Sequence, residues 1–212
     1  MNILVFDVNL YIATFSSKIW YNMYRYDNEF RKYASSIEGI KKYQLLFHIN
    51  INDNRTIKSY LFKKLNSING NPAIININGS REWRLNGKLH QIGDKPAIIG
   101  ADGLQEWYFN GKLHRDDDKP AIIRLNGLRE WWIHGKKHRD GDNPAIIRAN
   151  KHQEWYFNGK RHRDDDKPAI TYPDGSQGWF FNGKLHRDDD NPAIIHDDGS
   201  QSWYINGKRY KF

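Results

Sequence analysis

The chain has no cysteine. Disulfides, thiolate metal sites and thiol catalysis are therefore excluded, and the composition suits a reducing compartment. A basic segment followed by an apolar run, the mark of a secretory leader, is also missing near the start. Long hydrophobic stretches are absent too: the uncharged run over residues 8–17 is too short to cross a bilayer. These absences argue against secretion and against a membrane partner. They set the expectation of an intracellular protein. Hydrophobic content is low, at 38%, yet aromatics reach 14%, so packing must lean on rings. Net charge is +8 with a pI near 9.5. It is uneven: residues 1–65 hold 10 Lys/Arg against 5 Asp/Glu, whereas the remainder holds 23 against 20. With each cation downstream of residue 65 matched by a nearby carboxylate, phosphate attraction is largely cancelled, which argues against nucleic acid as a partner.

What the sequence has in abundance is repetition. Trp83, Trp107, Trp131, Trp155, Trp179 and Trp203 recur every 24 residues. Gly87 to Gly207 and Pro72 to Pro192 keep the same step, and histidines follow it at 90, 114, 138, 162 and 186. A fixed period of this length marks a quasi-one-dimensional repeat protein. Sliding the repeat back from Trp107 exposes a worn copy: Tyr60-Leu61 falls under Tyr108-Phe109, and Lys64-Leu65 under Lys112-Leu113. The array is therefore placed at residues 51–212, with a degenerate first repeat at 51–70 and regular repeats over 71–212.

Each repeat carries two turn signals. Asn-Gly recurs at 86–87, 110–111, 158–159, 182–183 and 206–207, with His134-Gly135 as the variant. Asn-Gly or Asp-Gly recurs at 78–79, 102–103, 126–127, 174–175 and 198–199, with Asn150-Lys151 as the exception. Both are read as type I′ hairpin turns, since these dipeptides supply positive φ, and the Asn150-Lys151 turn is expected to be longer or differently shaped. The residues between turns, such as Leu104 to Phe109, are read as one strand. The predicted fold is mainly β: an elongated antiparallel β-meander of hairpin repeats.

Strand alternation assigns faces. The six tryptophans are the structural core. Leu85, Phe109, Ile133, Phe157, Phe181 and Ile205 are expected on their face, joined by Ile74, Ile98, Ile122, Ile146, Ile170 and Ile194. The opposite face carries Glu82, Glu106, Glu130 and Glu154 together with Tyr108, Trp132, Tyr156, Phe180 and Tyr204. These last five rings are the candidate partner-binding residues, because interface anchors favour Trp and Tyr and a repeated array supplies avidity.

Residues 1–50 differ in kind. Their apolar spacing suits short helices, and neither Gly nor Pro occurs before Gly39. They are read as a helical head. The run Val5-Phe6-Asp7-Val8-Asn9-Leu10-Tyr11-Ile12-Ala13-Thr14-Phe15, followed by residues 20–33, resembles an F-box, with Val5-Phe6-Asp7 where the usual Leu-Pro opening would stand. That resemblance implies docking on a Skp1-type adaptor of a ubiquitin ligase. The motif Asp-Gly-x-x-x-Trp-x-x-Asn-Gly-Lys-x-His resembles MORN repeats, which build elongated antiparallel meanders. It departs after the His, where Asp-x-Asp-Lys/Asn-Pro-Ala stands in place of a Gly-x-Gly step. An F-box-like head on such repeats is similar to paralogous proteins of giant DNA viruses of amoebae. What this implies is a location in the virion or the host cytoplasm.

No asymmetric constellation points to catalysis. Gly-x-Ser-x-Gly, a phosphate loop and His-Glu-x-x-His are all missing, so no enzyme is expected. The Asp runs at 116–118, 164–166 and 188–190 lack the spacing of a calcium loop, and histidines on neighbouring repeats are too far apart for one zinc ion. Neither cofactor nor metal is expected. Two functions fit: a non-enzymatic protein-interaction scaffold, virion-associated or structural, or a substrate adaptor that recruits a host ubiquitin ligase.

Overall fold

A computed structural model describes residues 47–51, 56–61, 64–67 and 70–210. The F-box-like run and the rest of residues 1–46 lie outside the described residues. The protein is mainly β, and the chain divides into two compact modules, Met1–Leu89 and His90–Phe212.

In the first module, Phe47–Ile51 pairs antiparallel with Ile57–Leu61. Residues 47–50, read above as the end of the helical head, are thus strand. Phe47 and Ile49 obey a period of two as readily as a helical one, and the partner strand decides. Ile57–Leu61 also pairs with Ile74–Ile75, which in turn pairs with Arg81–Glu82. The worn repeat keeps the repeat's hairpin: Tyr60 opposes Leu65, as Tyr108 opposes Leu113 in the second module.

The second module is built on a long antiparallel meander. Two-residue strands alternate, Ile98–Ile99, Gln105–Glu106, Ile122–Ile123, Arg129–Glu130 and onward to Gln201–Ile205 and Lys208–Tyr210. Small hairpins branch from it, Tyr108–Phe109 with Lys112–Leu113 and its counterparts at 132–137, 156–161 and 180–185. The stretch expected to be one strand is therefore two, in two different sheets. The break falls at the tryptophan, whose N–H leaves the ladder to reach the alanine carbonyl of the following repeat. Trp107 donates to Ala121, Trp131 to Ala145, Trp155 to Ala169 and Trp179 to Ala193, at 2.8–2.9 Å. Each repeat is thus finished by its successor.

The face assignment changes with it. Across the ladder Ile122 lies opposite both Glu106 and Glu130, and Ile146 opposite both Glu130 and Glu154. Directly opposed residues share a side of the sheet, so these isoleucines lie with the glutamates and not, as expected, with the tryptophans. The tryptophans pack with alanines instead: Ala97, Ala121, Ala145, Ala169 and Ala193 are fully buried, and Trp107, Trp131, Trp155 and Trp179 nearly so. Trp83 and Ala73 repeat this in the first module. Trp203 is only half-buried, and its strand runs on unbroken through Ile205. Leu85, Phe109, Phe157 and Phe181, expected in the core, are exposed, and Ile133 and Ile205 are intermediate.

The Asp loops hold successive repeats together. Arg139 lies flat over Trp131, 3.9 Å from the ring, and donates to both carboxylate oxygens of Asp118 and to the carbonyl of Pro144. Arg187 does the same with Trp179, Asp166 and Pro192. Arg115 and Arg163 engage Asp94 and Asp142 and stack on Trp107 and Trp155. An arginine desolvated on one side by indole and paired on its edge fits the cation–π and bidentate geometries at once.

The turns are of two kinds. At Asn110-Gly111 and its equivalents both residues have positive φ, as a type I′ turn needs, and His134 takes the same conformation. At the second turn only the glycine is positive, and Gly127 donates to Arg124 while Arg124 donates to Leu128. That is a three-residue loop with a bulge glycine, so the type I′ reading there is corrected. The side chain at position 126 caps it by accepting from Leu128 N–H. The Asn150-Lys151 turn has the same bonds, with Lys151 at φ 70°. It is an ordinary member of the series, and the expectation of a different shape fails: the Asx cap from Asn150 to His152 holds the backbone whatever residue fills the bulge.

Candidate functional site

The isoleucine–glutamate side of the second module carries the candidate rings. Tyr108, Trp132, Tyr156, Phe180 and Tyr204 are all half-buried, not open as a free outer row would be. Each ring sits two residues beyond a ladder position, and where that position is glutamate the ring leans back on it. Tyr108 and Tyr156 donate their hydroxyls to Glu106 and Glu154 at 3.0 Å, and Trp132 donates its indole N–H to Glu130 at 2.9 Å. Cations fill the spaces between rings. Lys137 lies 5.3 Å from Trp132 and 5.4 Å from Tyr156, and Arg161 lies 5.7 Å from Tyr156 and 4.6 Å from Phe180. From Trp132 to Phe180 the row is ring, cation, ring, cation, ring.

The tightest point is Glu154. One oxygen accepts from His152 Nε2 at 2.9 Å, and the other from Tyr156 at 3.0 Å and from Arg161. Burial pushes this carboxyl up, but the bonds from His152 and Arg161, the charge of Arg161 and the tyrosine hydroxyl outweigh it and hold the group at about 2. Burial likewise lifts the Tyr156 hydroxyl. A carboxylate so enclosed fixes Tyr156 and Arg161 in place; it has no free oxygen to act as a base.

The pattern breaks at Gly178, where the other repeats of this module have Glu or Ser. Ile170 and Ile194 face each other across it, and the ring two residues on is Phe180, with no polar tip. A cleft of about 340 Å³ opens there over an apolar floor of Ile170, Phe180, Leu185 and Ile194.

The tryptophan side offers a second series, of smaller clefts between Asp loops, with volumes of about 160–270 Å³. The periodic histidines border it. Each presents Nδ1 to a backbone N–H of the next repeat, from His90–Asn110 to His186–Asn206, at 3.2–3.4 Å. Nε2 then faces an aspartate two residues on, 3.0–3.2 Å away, in His114, His138, His162 and His186. Phe157 and Phe181 stand between His138, His162 and His186 with centroids 5.0–6.2 Å apart. Burial pushes His90 and His114 down.

The loop aspartates are spent on arginine. Asp94, bonded to Arg115 and Lys119, is held at about 2, and Asp142 is held well below its ordinary range by Arg163 and Lys167. The arginines at 115, 139, 163 and 187 were not singled out from the sequence, although His-Arg keeps the repeat's step there. One further difference divides the loops. Where the residue 13 before the tryptophan has positive φ, its carbonyl accepts the indole N–H: Asp118 from Trp131, Asp166 from Trp179, Asp190 from Trp203. In the loops with Gly93 and Gly141 the glycine takes the positive φ and Asp94 and Asp142 do not. The buried indole N–H groups of Trp107 and Trp155 are then left without a protein partner.

Comparison with known proteins returns no matching family model and no matching curated protein.

Proposed function

We propose that the chain is a non-enzymatic protein-interaction scaffold whose MORN-like repeats present the row Tyr108, Trp132, Tyr156, Phe180 and Tyr204 to protein partners. What supports this reading is the way the row is held. Three of its five rings bond to a carboxylate of their own repeat, and two cations bridge the middle three. Rings fixed beforehand lose little freedom on binding, which is where association otherwise costs most. Equal spacing lets weak contacts add. The arginines of the Asp loops are already paired with carboxylates, which favours a protein over a nucleic acid as partner. We infer from the resemblance to giant-virus paralogues a location in the virion or host cytoplasm, with the F-box-like segment ahead of the array as a separate attachment.

The test is Trp132→Ser with Tyr204→Ser in the full chain, used to capture partners from host lysate or disrupted particles with readout by mass spectrometry. The expected result is loss of at least about tenfold in recovered partner, roughly 1.4 kcal/mol, with the melting transition still cooperative. Retention of every partner by a folded double variant would overturn the assignment.

A further inference from the structure

We propose that the cleft over Gly178 is a socket for one large apolar side chain of a protein partner, carried on a basic segment; this rests on the scaffold reading and names the partner's chemistry. Three observations lead to it. First, Gly178 is not there for its backbone, since its φ is not in the left-handed region that favours glycine. What it supplies is room. A Cβ at this position would meet Ile170 Cγ2 at 2.8 Å and Phe180 at 3.3 Å.

Second, at positions 106, 130 and 154 a glutamate lies between the two flanking isoleucines and beneath the ring. At 178 the side chain is missing and the ring is phenylalanine, so the space a glutamate fills elsewhere is left open beside a buried Ile170 and a half-buried Ile194. The resulting cleft of about 340 Å³ has Tyr172 as an exposed aromatic wall. Its size and apolar floor suit one bulky side chain, the usual form of an interface anchor.

Third, the rim has one sign of charge. Asp174 lines it, and the neighbouring turn carries Asp197 and Asp198, while the two turns before bring Arg124, Arg148 and Lys151. Gln177 and Ser176 add polar atoms, and His196 completes the edge. Arg161, which lies against Phe180, is committed to Glu154, and Arg209 bonds Ser202 opposite Ile194. An apolar anchor flanked by Lys or Arg meets both the floor and the rim, and an acidic segment is repelled.

The experiment titrates the ¹⁵N-labelled full chain with the peptide acetyl-Lys-Trp-Lys-amide, following the Gly178, Ile170 and Ile194 amides. Acetyl-Glu-Trp-Glu-amide and acetyl-Lys-Ser-Lys-amide are the controls. The expected result is saturable shifts at all three amides with the Lys-Trp-Lys peptide, weaker by at least about tenfold with either control. Gly178→Glu, which restores the residue of the preceding repeats, should abolish the shifts. Should that variant unfold, Asp174→Asn with Asp197→Asn decides: the Lys-Trp-Lys affinity should fall to that of the acidic peptide. Silence at Gly178, equal response to basic and acidic peptides, or shifts that survive in folded Gly178→Glu overturns the socket. Trp132→Ser with Tyr204→Ser lies outside the cleft and should leave peptide binding intact, so the socket and the row fail separately.

Discussion

The two sides of the second module's meander obey different rules. On the tryptophan side every repeat has the same parts: Trp, Ala, Pro and, over most of its length, Arg paired with Asp. On the isoleucine side the parts vary at each step. The ladder position is Glu, Glu, Glu, Gly and Ser, and the ring is Tyr, Trp, Tyr, Phe and Tyr. A side that specifies how one repeat meets the next tolerates no variation, because each member bonds to a neighbour of the same kind. A side that bonds mainly within its own repeat is free to change. The difference separates the residues that build the array from those that give each repeat its character.

Swapping one ring from each side would break that comparison most sharply. Trp131→Ala removes a buried ring, the face on which Arg139 stacks and the indole bond to Asp118, while the backbone bond to Ala145 stays, and should cost about 3–5 kcal/mol. Trp132→Ala, half-buried and bonded only to Glu130 and Lys137, should cost less than half as much. Thermal or urea melts of the two decide it; equal losses would mean that both sides build the array.

Glu154 comes next. Its pKa is held at about 2, below its ordinary value near 4.5, so the unfolded chain binds its proton more readily. The stability it contributes is fully present above about pH 5 and is lost as pH falls from there towards 2. Glu154→Gln should flatten the stability profile over that window and lower the pH 7 value by about 1–3 kcal/mol, since Arg161 and His152 lose a buried partner. An unchanged acid limb in the variant would show that the carboxylate is not what this side depends on.

Backbone strain gives a smaller contrast. Gly159 has φ 85° and should cost about 1 kcal/mol or more as Ala, whereas Lys151 already bears the penalty at φ 70°. Lys151→Gly should therefore gain up to about 1 kcal/mol; a loss would mean that its side chain, not the turn, matters. The finest distinction is spectroscopic. In a ¹⁵N spectrum the indole protons of Trp131 and Trp179, which are hydrogen-bonded, should lie downfield of those of Trp107 and Trp155. Overlap of the two pairs would show that the glycine loops do not orphan their indoles.

Period, turns and β class were legible in the sequence because they depend on residues close together in the chain. Asn-Gly fixes a hairpin locally, and a repeat announces itself. The faces were misread because strand alternation was carried through the tryptophan, and that residue leaves the ladder for an alanine carbonyl 14 residues away. Period two cannot reveal a bond to the next repeat. The alanines carried a signal, a Pro-Ala step in every repeat, but small size concealed their complete burial. Of the candidate rings, the line itself was legible, whereas their bonds to Glu106, Glu130 and Glu154 and the stitching by Lys137 and Arg161 depend on side-chain reach. The gap at Gly178 could have been suspected from one substitution in an otherwise regular column.

The bond from each tryptophan to the alanine ahead of it makes length a discrete quantity. Excising residues 117–140 removes one 24-residue step and joins Asp116 to Gly141, so that Trp107 finds Ala145 where Ala121 stood. The backbone ladder upstream and downstream keeps its pairing. A cut of half that size would leave Trp107 aimed at Ile133, a residue of a side hairpin instead of the ladder. Such an array can be shortened or lengthened only in whole increments, like a rack advanced tooth by tooth, and spans of intermediate length are inaccessible to it.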